Sequence, residues 1–478
     1  MIKITPLCRR KILFFCALVS ASFTGFSKIK PAAIFTDHMI LQQQTDAAIW
    51  GWAKPMTDVK VTTSWNKKIY TVKSNQSGKF IVKVATPVAG GPYNIEITDG
   101  EKLVLNDVLI GEVWFLGGQS NMEMPLKGNK NQPITGSNET ILKSYNKNIR
   151  LYTVPRVSTT EIQENSKPSD WKIASPETVP AFSAVGYFFG KLINEIKNVP
   201  IGLINDNFGG SSIEAWMSAD ELNNFPEIVV PKKGDSIKVQ NQTPTTLFNG
   251  MLYPILGYGI RGVLWYQGES NRNRYERYAD LFPAMVADWR KKWGIGEFPF
   301  YWAQIAPFGY AVNDKEVNSA LIRDVQRTSL TKIPNSGMAV LMDVGEEKLI
   351  HPANKKEVGD RLAYIALAKN YGIKGIGFES PNYESISIKG NKVTIKFVNK
   401  SNGLTSFGKE LKQFEIAGED RQFYPAKAVI SGNNVVVEAV EVKNPIAVRY
   451  AFKNFVVGDL FGVDGLPVSS FRTDTWDK

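Results

Sequence analysis

Between residues 108 and 375, short apolar runs of strand character alternate with amphipathic stretches of helical period. The runs cover residues 113–117, 199–205, 262–266, 300–305 and 338–342. They are too uniformly apolar to have one wet face, which is the pattern of strands covered on both sides. Between them Val185, Phe188, Phe189, Leu192, Ile193 and Ile196 share one helical stripe, and Leu281, Met285, Val286 and Trp289 share another. This alternation predicts an α/β fold with a doubly wound, flavodoxin-like parallel sheet, whose ligands sit at the carboxyl ends of the strands. Residues 128–180 and 225–246 interrupt the pattern. Both are rich in Asn, Pro, Ser and Lys and read as long surface loops, where substrate contacts concentrate.

The flanks have a different style. Residues 59–63 and 80–84 alternate polar and apolar side chains and are separated by turn sequences at 75–78 and 90–92, which predicts a β-sandwich-like domain. The same pattern returns at 385–388, 392–397 and 435–438, so a second β domain is expected to follow the α/β region. At the N-terminus, Lys3, Arg9, Arg10 and Lys11 precede an apolar run at 12–19 and then small residues. That is the pattern of a secretory signal peptide, and the run is shorter than the ~20 residues a membrane span needs. The expected organisation is a signal peptide over 1–27, an N-terminal β domain over 28–107, the α/β domain over 108–375 and a C-terminal β domain over 376–478. Export to the periplasm or the cell exterior follows, with no stable membrane insertion after cleavage.

Composition narrows the chemistry. Both cysteines, Cys8 and Cys16, lie within the signal, so thiolate metal sites, disulfides and cysteine nucleophiles are excluded from the mature chain. With only His38 and His351 as histidines, a histidine-built zinc site is hard to assemble, and no metal or cofactor is expected. The net charge of +11 includes the four basic residues of the signal, and the remaining excess is interleaved with acids. Such a pattern describes a solvated surface and gives no nucleic-acid footprint.

Ser120 follows the first run in Gly117-Gly118-Gln119-Ser120. Small residues there permit the sharp strand-to-helix turn that lifts a nucleophile out of a sheet, although a serine after two glycines also suits a helix N-cap. A serine hydroxyl needs a base, and histidine is the side chain tuned for that task near neutrality. His38 lies in the N-terminal β region and reads as structural. His351 lies in the loop after the last run, at the edge of the sheet where Ser120 is expected. Two further loops open on that edge. One contains Gly209 and Gly210, whose glycines leave backbone N–H groups accessible to an oxyanion, and the other offers the side-chain amide of Gln267.

The blocks GGQSNMEMP (117–125), NFGGSSIEAW (207–216), WYQGESN (265–271) and IHPANKKEVGDRLA (350–363) resemble, in order and spacing, those of SGNH-type hydrolases of the sialate O-acetylesterase-like carbohydrate acetylesterase group. The resemblance implies an exported carboxylic ester hydrolase acting on an acetylated carbohydrate, with Ser120 as nucleophile and His351 as base. It further implies the amides of Ser120 and Gly210 and the side chain of Gln267 as oxyanion donors. Many relatives carry an aspartate three residues before the histidine, where this chain has Lys348. The orienting group is then Glu347, Glu346, Asp343 or a backbone carbonyl, with Glu347 foremost. Gly209, Glu214, Trp216, Glu269 and Asn271 are the expected substrate contacts, and Trp216, Tyr266 and Tyr275 would suit stacking on sugar rings.

Two other classes compete. Glu123, Glu214 and Glu269 could be imagined as a glycosidase carboxylate pair, although each also reads as a loop carboxylate accepting backbone N–H bonds. A non-catalytic glycan-binding protein on a hydrolase scaffold is the other. Acetylxylan or another plant polysaccharide is the alternative substrate to an acetylated sialic acid.

Overall fold

A computed structural model describes residues 29–310, 316–400 and 402–476. The expected signal peptide lies outside the described residues. Six parallel strands form the centre: β1 (Lys102–Gly118), β2 (Asn146–Thr153), β3 (Ile201–Asn207), β4 (Gly262–Tyr266), β5 (Phe300–Ala303) and β6 (Ser336–Ala339), in the spatial order β2-β3-β1-β4-β5-β6. Helices that follow or pack on these strands include α1 (Ser120–Glu123), α2 (Ala184–Lys197), α3 (Tyr275–Trp293), α4 (Asn318–Thr328) and α5 (Lys355–Lys369).

Side chains alternate across a strand, so neighbours in β1 serve different cores. Val113 and Phe115 join Trp265, Trp289 and Leu281 of α3 on one face, while Trp114 and Leu116 join Phe189 of α2 and Leu362 of α5 on the other. Helices therefore cover both faces, which explains the uniformly apolar strands. Helices α2 and α5 approach closely because Gly359 has no side chain: a Cβ there would lie 2.8 Å from both Phe188 Cβ and Val185 O.

Two features differ from the sequence reading. The change of style at Val108 falls inside β1, a single 17-residue strand. Its first half pairs with Gly90–Thr98 and Ile40–Gln42, and its second half with β3 and β4. The stretch 128–180, expected to be loop, supplies strand β2 at one end of the parallel array. Its polar sequence hid it, because buried Arg150 is made acceptable by its ion pair with Asp107 at 2.8 Å and by bonds to the carbonyls of Lys147 and His38. His38 belongs to the same cluster, 2.6 Å from Asp107, as expected for a structural histidine.

Strands after residue 381 form two four-stranded sheets, which include Asn382–Lys389 with Lys392–Val398 and Phe414–Ala417 with Ala447–Tyr450, and a two-stranded sheet of Leu404–Thr405 with Phe461–Gly462. Buried Arg323 of α4 fastens them to the centre, donating to the carbonyls of Lys453 and Asn454 and to Ser470 Oγ. Gln304 Nε2 adds a bond to Ser469 Oγ at 2.7 Å. Among the described residues, no helix is long and apolar enough to cross a membrane.

Candidate active site

Strand β1 lies between β3 and β4, where chain connections diverge to either side and a crevice opens at the carboxyl edge. At Gly118 φ is +140°, and a Cβ would lie 2.2 Å from the carbonyl oxygen of Tyr266. Only glycine fits, and the chain turns sharply there. Gln119 N then donates to that same carbonyl at 3.0 Å. Residues 111–119 are buried, whereas Ser120, the first residue of α1, is partly exposed.

Ser120 Oγ lies 2.7 Å from Nε2 of His351, and Nδ1 of the same ring lies 2.8 Å from Oε1 of Gln132. A side-chain amide oxygen only accepts, so Nδ1 carries the proton and Nε2 is left to accept from the serine hydroxyl. Burial, with a smaller contribution from the nearby Lys355 cation, lowers the His351 pKa from 6.5 to about 4.

The acid expected at Glu347 is not the group that holds Nδ1. Glu347 is exposed, on an open cleft shared with Phe423 and Arg449. Asp343 is clasped by both terminal nitrogens of Arg361, at 2.7 and 2.6 Å, and Glu346 accepts from Ala353 N at 2.7 Å. No backbone carbonyl takes that role either. The partner comes from the loop that precedes β2, and nothing in the sequence around Gln132 marks it.

Gly209 and Gly210 stand beside the serine. A Cβ on Gly209 would lie 3.4 Å from Ser120 Cβ and 2.9 Å from Glu123 Oε2. Gly210 has φ +69°. Asn241 Nδ2 donates to Gly209 O at 2.6 Å and Gln242 Nε2 to Gly210 O at 3.4 Å, which pins the turn. Glu123 pairs with Arg156, a half-exposed cation that lies over the Phe208 ring.

Gln267 does not fit its expected role as an oxyanion donor. It is fully buried, and its Nε2 is committed to Ser211 O at 3.1 Å and Asn271 Oδ1 at 2.8 Å. Four expected sugar contacts, Glu214, Trp216, Glu269 and Asn271, are likewise internal. Trp216 is 0% exposed, meets Trp265 edge to face and donates through Nε1 to Ser211 Oγ. Asn271 is 1% exposed, with Oδ1 accepting from Ile213 N and Nδ2 donating to Glu214 Oε2. Glu214 thus holds that loop, and it also faces Arg274 at 3.4 Å. Tyr266 and Tyr275 are also buried and offer no stacking face. Glu269 is buried and accepts from Asn121 Nδ2 at 2.5 Å. Of the three glutamates of the glycosidase alternative, Glu214 and Glu269 are therefore engaged in bonds inside the protein, and Glu123 is paired with Arg156.

The sequence reading missed Gln132, Asn121, Lys355, Asn241 and Arg156. Asn121 and Lys355 were inside the blocks it singled out, where a lysine one residue after a helix cap was the available signal.

A partly exposed serine hydrogen-bonded to histidine at the carboxyl edge of a parallel sheet is an arrangement shared with α/β serine hydrolases. Residues 110–368 match the family model described as carbohydrate esterase, sialic acid-specific acetylesterase. The chain is 30% identical to human sialate O-acetylesterase over 416 residues, covering 76% of this chain and 75% of that one. It is 29% identical to the mouse protein of the same name over 423 residues, 75% of this chain and 76% of that one. A crystal structure of a carbohydrate acetylesterase from Xanthomonas citri superposes with a TM-score of 0.86 at 35% identity, covering 94% of this chain and all of that one. The chain belongs to this carbohydrate esterase family and is a carboxylic ester hydrolase of the carbohydrate O-acetylesterase kind.

Proposed function

We propose that this protein removes O-acetyl groups from a carbohydrate by covalent serine catalysis, with Ser120 as nucleophile and His351 as general base. The 2.7 Å contact between Ser120 Oγ and His351 Nε2 carries the reading. The hydroxyl proton passes to Nε2 as Oγ bonds to the acetyl carbonyl carbon. The oxygen then bears negative charge, which the backbone amides of Ser120 and Gly210 receive. Collapse breaks the ester bond, and the sugar oxygen leaves with the proton from Nε2. Water, deprotonated in turn by His351, attacks the acetyl-serine, and acetate departs with Ser120 restored.

Gly209, Asn241 and Arg156 line the mouth where the sugar enters. The α/β region over 108–375 is the catalytic domain in this reading, flanked by β domains over 28–107 and 376–478. The basic and apolar N-terminal segment supports export. The relatives named for sialate esters and the bacterial relative named for carbohydrate esters both support an acetylated sugar as substrate.

The test is acetate release from acetylated sialic acid, acetylated xylan and other acetylated glycans. Ser120→Ala should lower turnover on the order of 10³-fold or more while leaving the melting temperature unchanged. Wild-type rates in a folded Ser120→Ala protein would refute the mechanism.

A further inference from the structure

Lys355 is 0% exposed and stands at the first position of α5. Two penalties meet there. A buried ammonium loses its hydration, and a cation at a helix N-terminus opposes the helix dipole. Burial pushes its pKa down from 10.5 to about 7, against the pull of Glu269 and Glu346. No stability argument accounts for a lysine in this place, yet its side chain has a definite destination. Its Nζ donates to Oδ1 of Asn121, the residue directly after Ser120.

Asn121 is itself 1% exposed, and both ends of its amide are in use. Its Nδ2 donates to Glu269 Oε1 at 2.5 Å and to the carbonyl of Ile350, the residue directly before His351, at 3.1 Å. An amide between an ammonium and a carboxylate has one workable orientation, with oxygen toward the cation and nitrogen toward the anion. Lys355 Nζ as donor on one side and Glu269 Oε1 as acceptor on the other therefore fix the Asn121 flip. The same flip bonds the serine segment to the histidine segment. Breaking one end of such a chain would leave the other charge buried and alone.

We propose that Lys355 is a positioning residue for the Ser120–His351 pair, acting through Asn121 on the geometry and through its own positive charge on the imidazole. The proposal rests on the esterase reading above. Lys355 repels a proton arriving at His351, and it is fully charged over the acid range in which that ring titrates. The groups facing the network are Glu269 from the loop after β4, Glu346 and His351 from the loop before α5, and Tyr266 of β4, whose ring lies 5.5 Å from Lys355 Nζ. Tyr310 and Arg272 stand behind Glu269, and Glu123 with its partner Arg156 stands on the far side of Ser120.

The chain has only two histidines, so the His351 ring is directly observable by imidazole NMR, with His38→Asn assigning the signals. In Lys355→Met the His351 pKa should rise by about one pH unit, as expected on removing a close like charge. The acid limb of kcat/KM should move upward with it. Turnover should fall roughly 10- to 100-fold with KM within about threefold, since an aligning contact is lost and a sugar contact is not. If Lys355→Met fails to fold because Glu269 is left unpaired, Lys355→Met with Glu269→Gln removes both charges and should show the same upward titration shift. An unchanged His351 titration together with wild-type kcat would overturn the proposal. The NMR titration does not depend on turnover. A wild-type chain that releases no acetate would therefore refute the esterase reading while leaving this electrostatic claim to stand or fall on the ring itself.

Discussion

Nδ1 of His351 faces the side-chain oxygen of Gln132 at 2.8 Å, so a neutral amide occupies the place where a serine–histidine pair commonly has a carboxylate. An amide oxygen fixes the tautomer as well as a carboxylate does. It gives much less support to the imidazolium that forms during attack. Gln132→Ala should lower kcat roughly 10- to 100-fold through loss of the tautomer lock. Gln132→Glu should retain activity within about tenfold and shift the acid limb of kcat/KM to higher pH, because an adjacent anion favours the charged ring. A pH profile of each variant separates the two roles.

Glu347→Gln should leave kcat within about twofold of wild type. Its carboxylate is exposed and Nδ1 already has its partner. A tenfold loss measured on any responsive acetyl ester would reinstate Glu347 as the orienting acid.

The wild-type acid limb should lie near pH 4, well below the ordinary histidine value of 6.5. The sign for stability is the same. The unfolded chain takes up this proton as pH falls through about 6.5, while the folded ring resists to about 4, so the His351 contribution is lost progressively across that window. Initial rates between pH 3.5 and 8, with melting temperatures in the same buffers, give both readings. A limb at pH 6.5 would contradict the buried, cation-flanked ring.

Asp206 of β3 is fully buried, and neither carboxyl oxygen has a hydrogen-bond partner among the described residues. Burial raises its pKa well above the ordinary 3.8, so the folded state holds a proton that the unfolded chain releases. Its effect runs opposite to that of His351, with stability lost as pH rises above 3.8. Asp206→Asn should therefore raise the melting temperature at pH 8 and change it least near pH 4, as calorimetry at the two values would show.

Trp216→Ala should act on stability and leave sugar recognition largely alone, since the ring is packed against Trp265. The expected cost is about 3–5 kcal/mol in denaturant unfolding, typical of a buried aromatic truncated to alanine. A raised KM with unchanged stability would return Trp216 to the sugar site.

Catalysis should survive exhaustive chelation, because every step assigned above moves a proton or an acyl group between side chains and substrate. Activity lost in EDTA and restored by zinc or manganese would show that the chemistry has been misassigned.

What the sequence determined by itself was periodic and local. The buried strands at 201–207 and 262–266 were legible because both faces demand apolar side chains, and the turn at Gly118 because only glycine accepts that backbone beside Tyr266 O. His351 stood out because the chain has only two histidines, and Ser120 because it follows Gly117-Gly118 at the end of the first buried run. Tertiary structure decided which polar groups face each other. Gln132 reaches His351 from 219 residues away, and Lys355 reaches Asn121 across 234. Neither distance leaves a mark in a local pattern. The same cause explains the misread loop residues. Gln267, Glu269 and Asn271 have the composition of a sugar-binding loop, but they are buried, and Gln267 Nε2, Glu269 Oε1 and Asn271 Nδ2 bond to protein groups on other segments that only the folded chain brings within reach. A polar side chain in a sequence declares what it is able to bond, and the packing around it settles whether protein or substrate receives that bond.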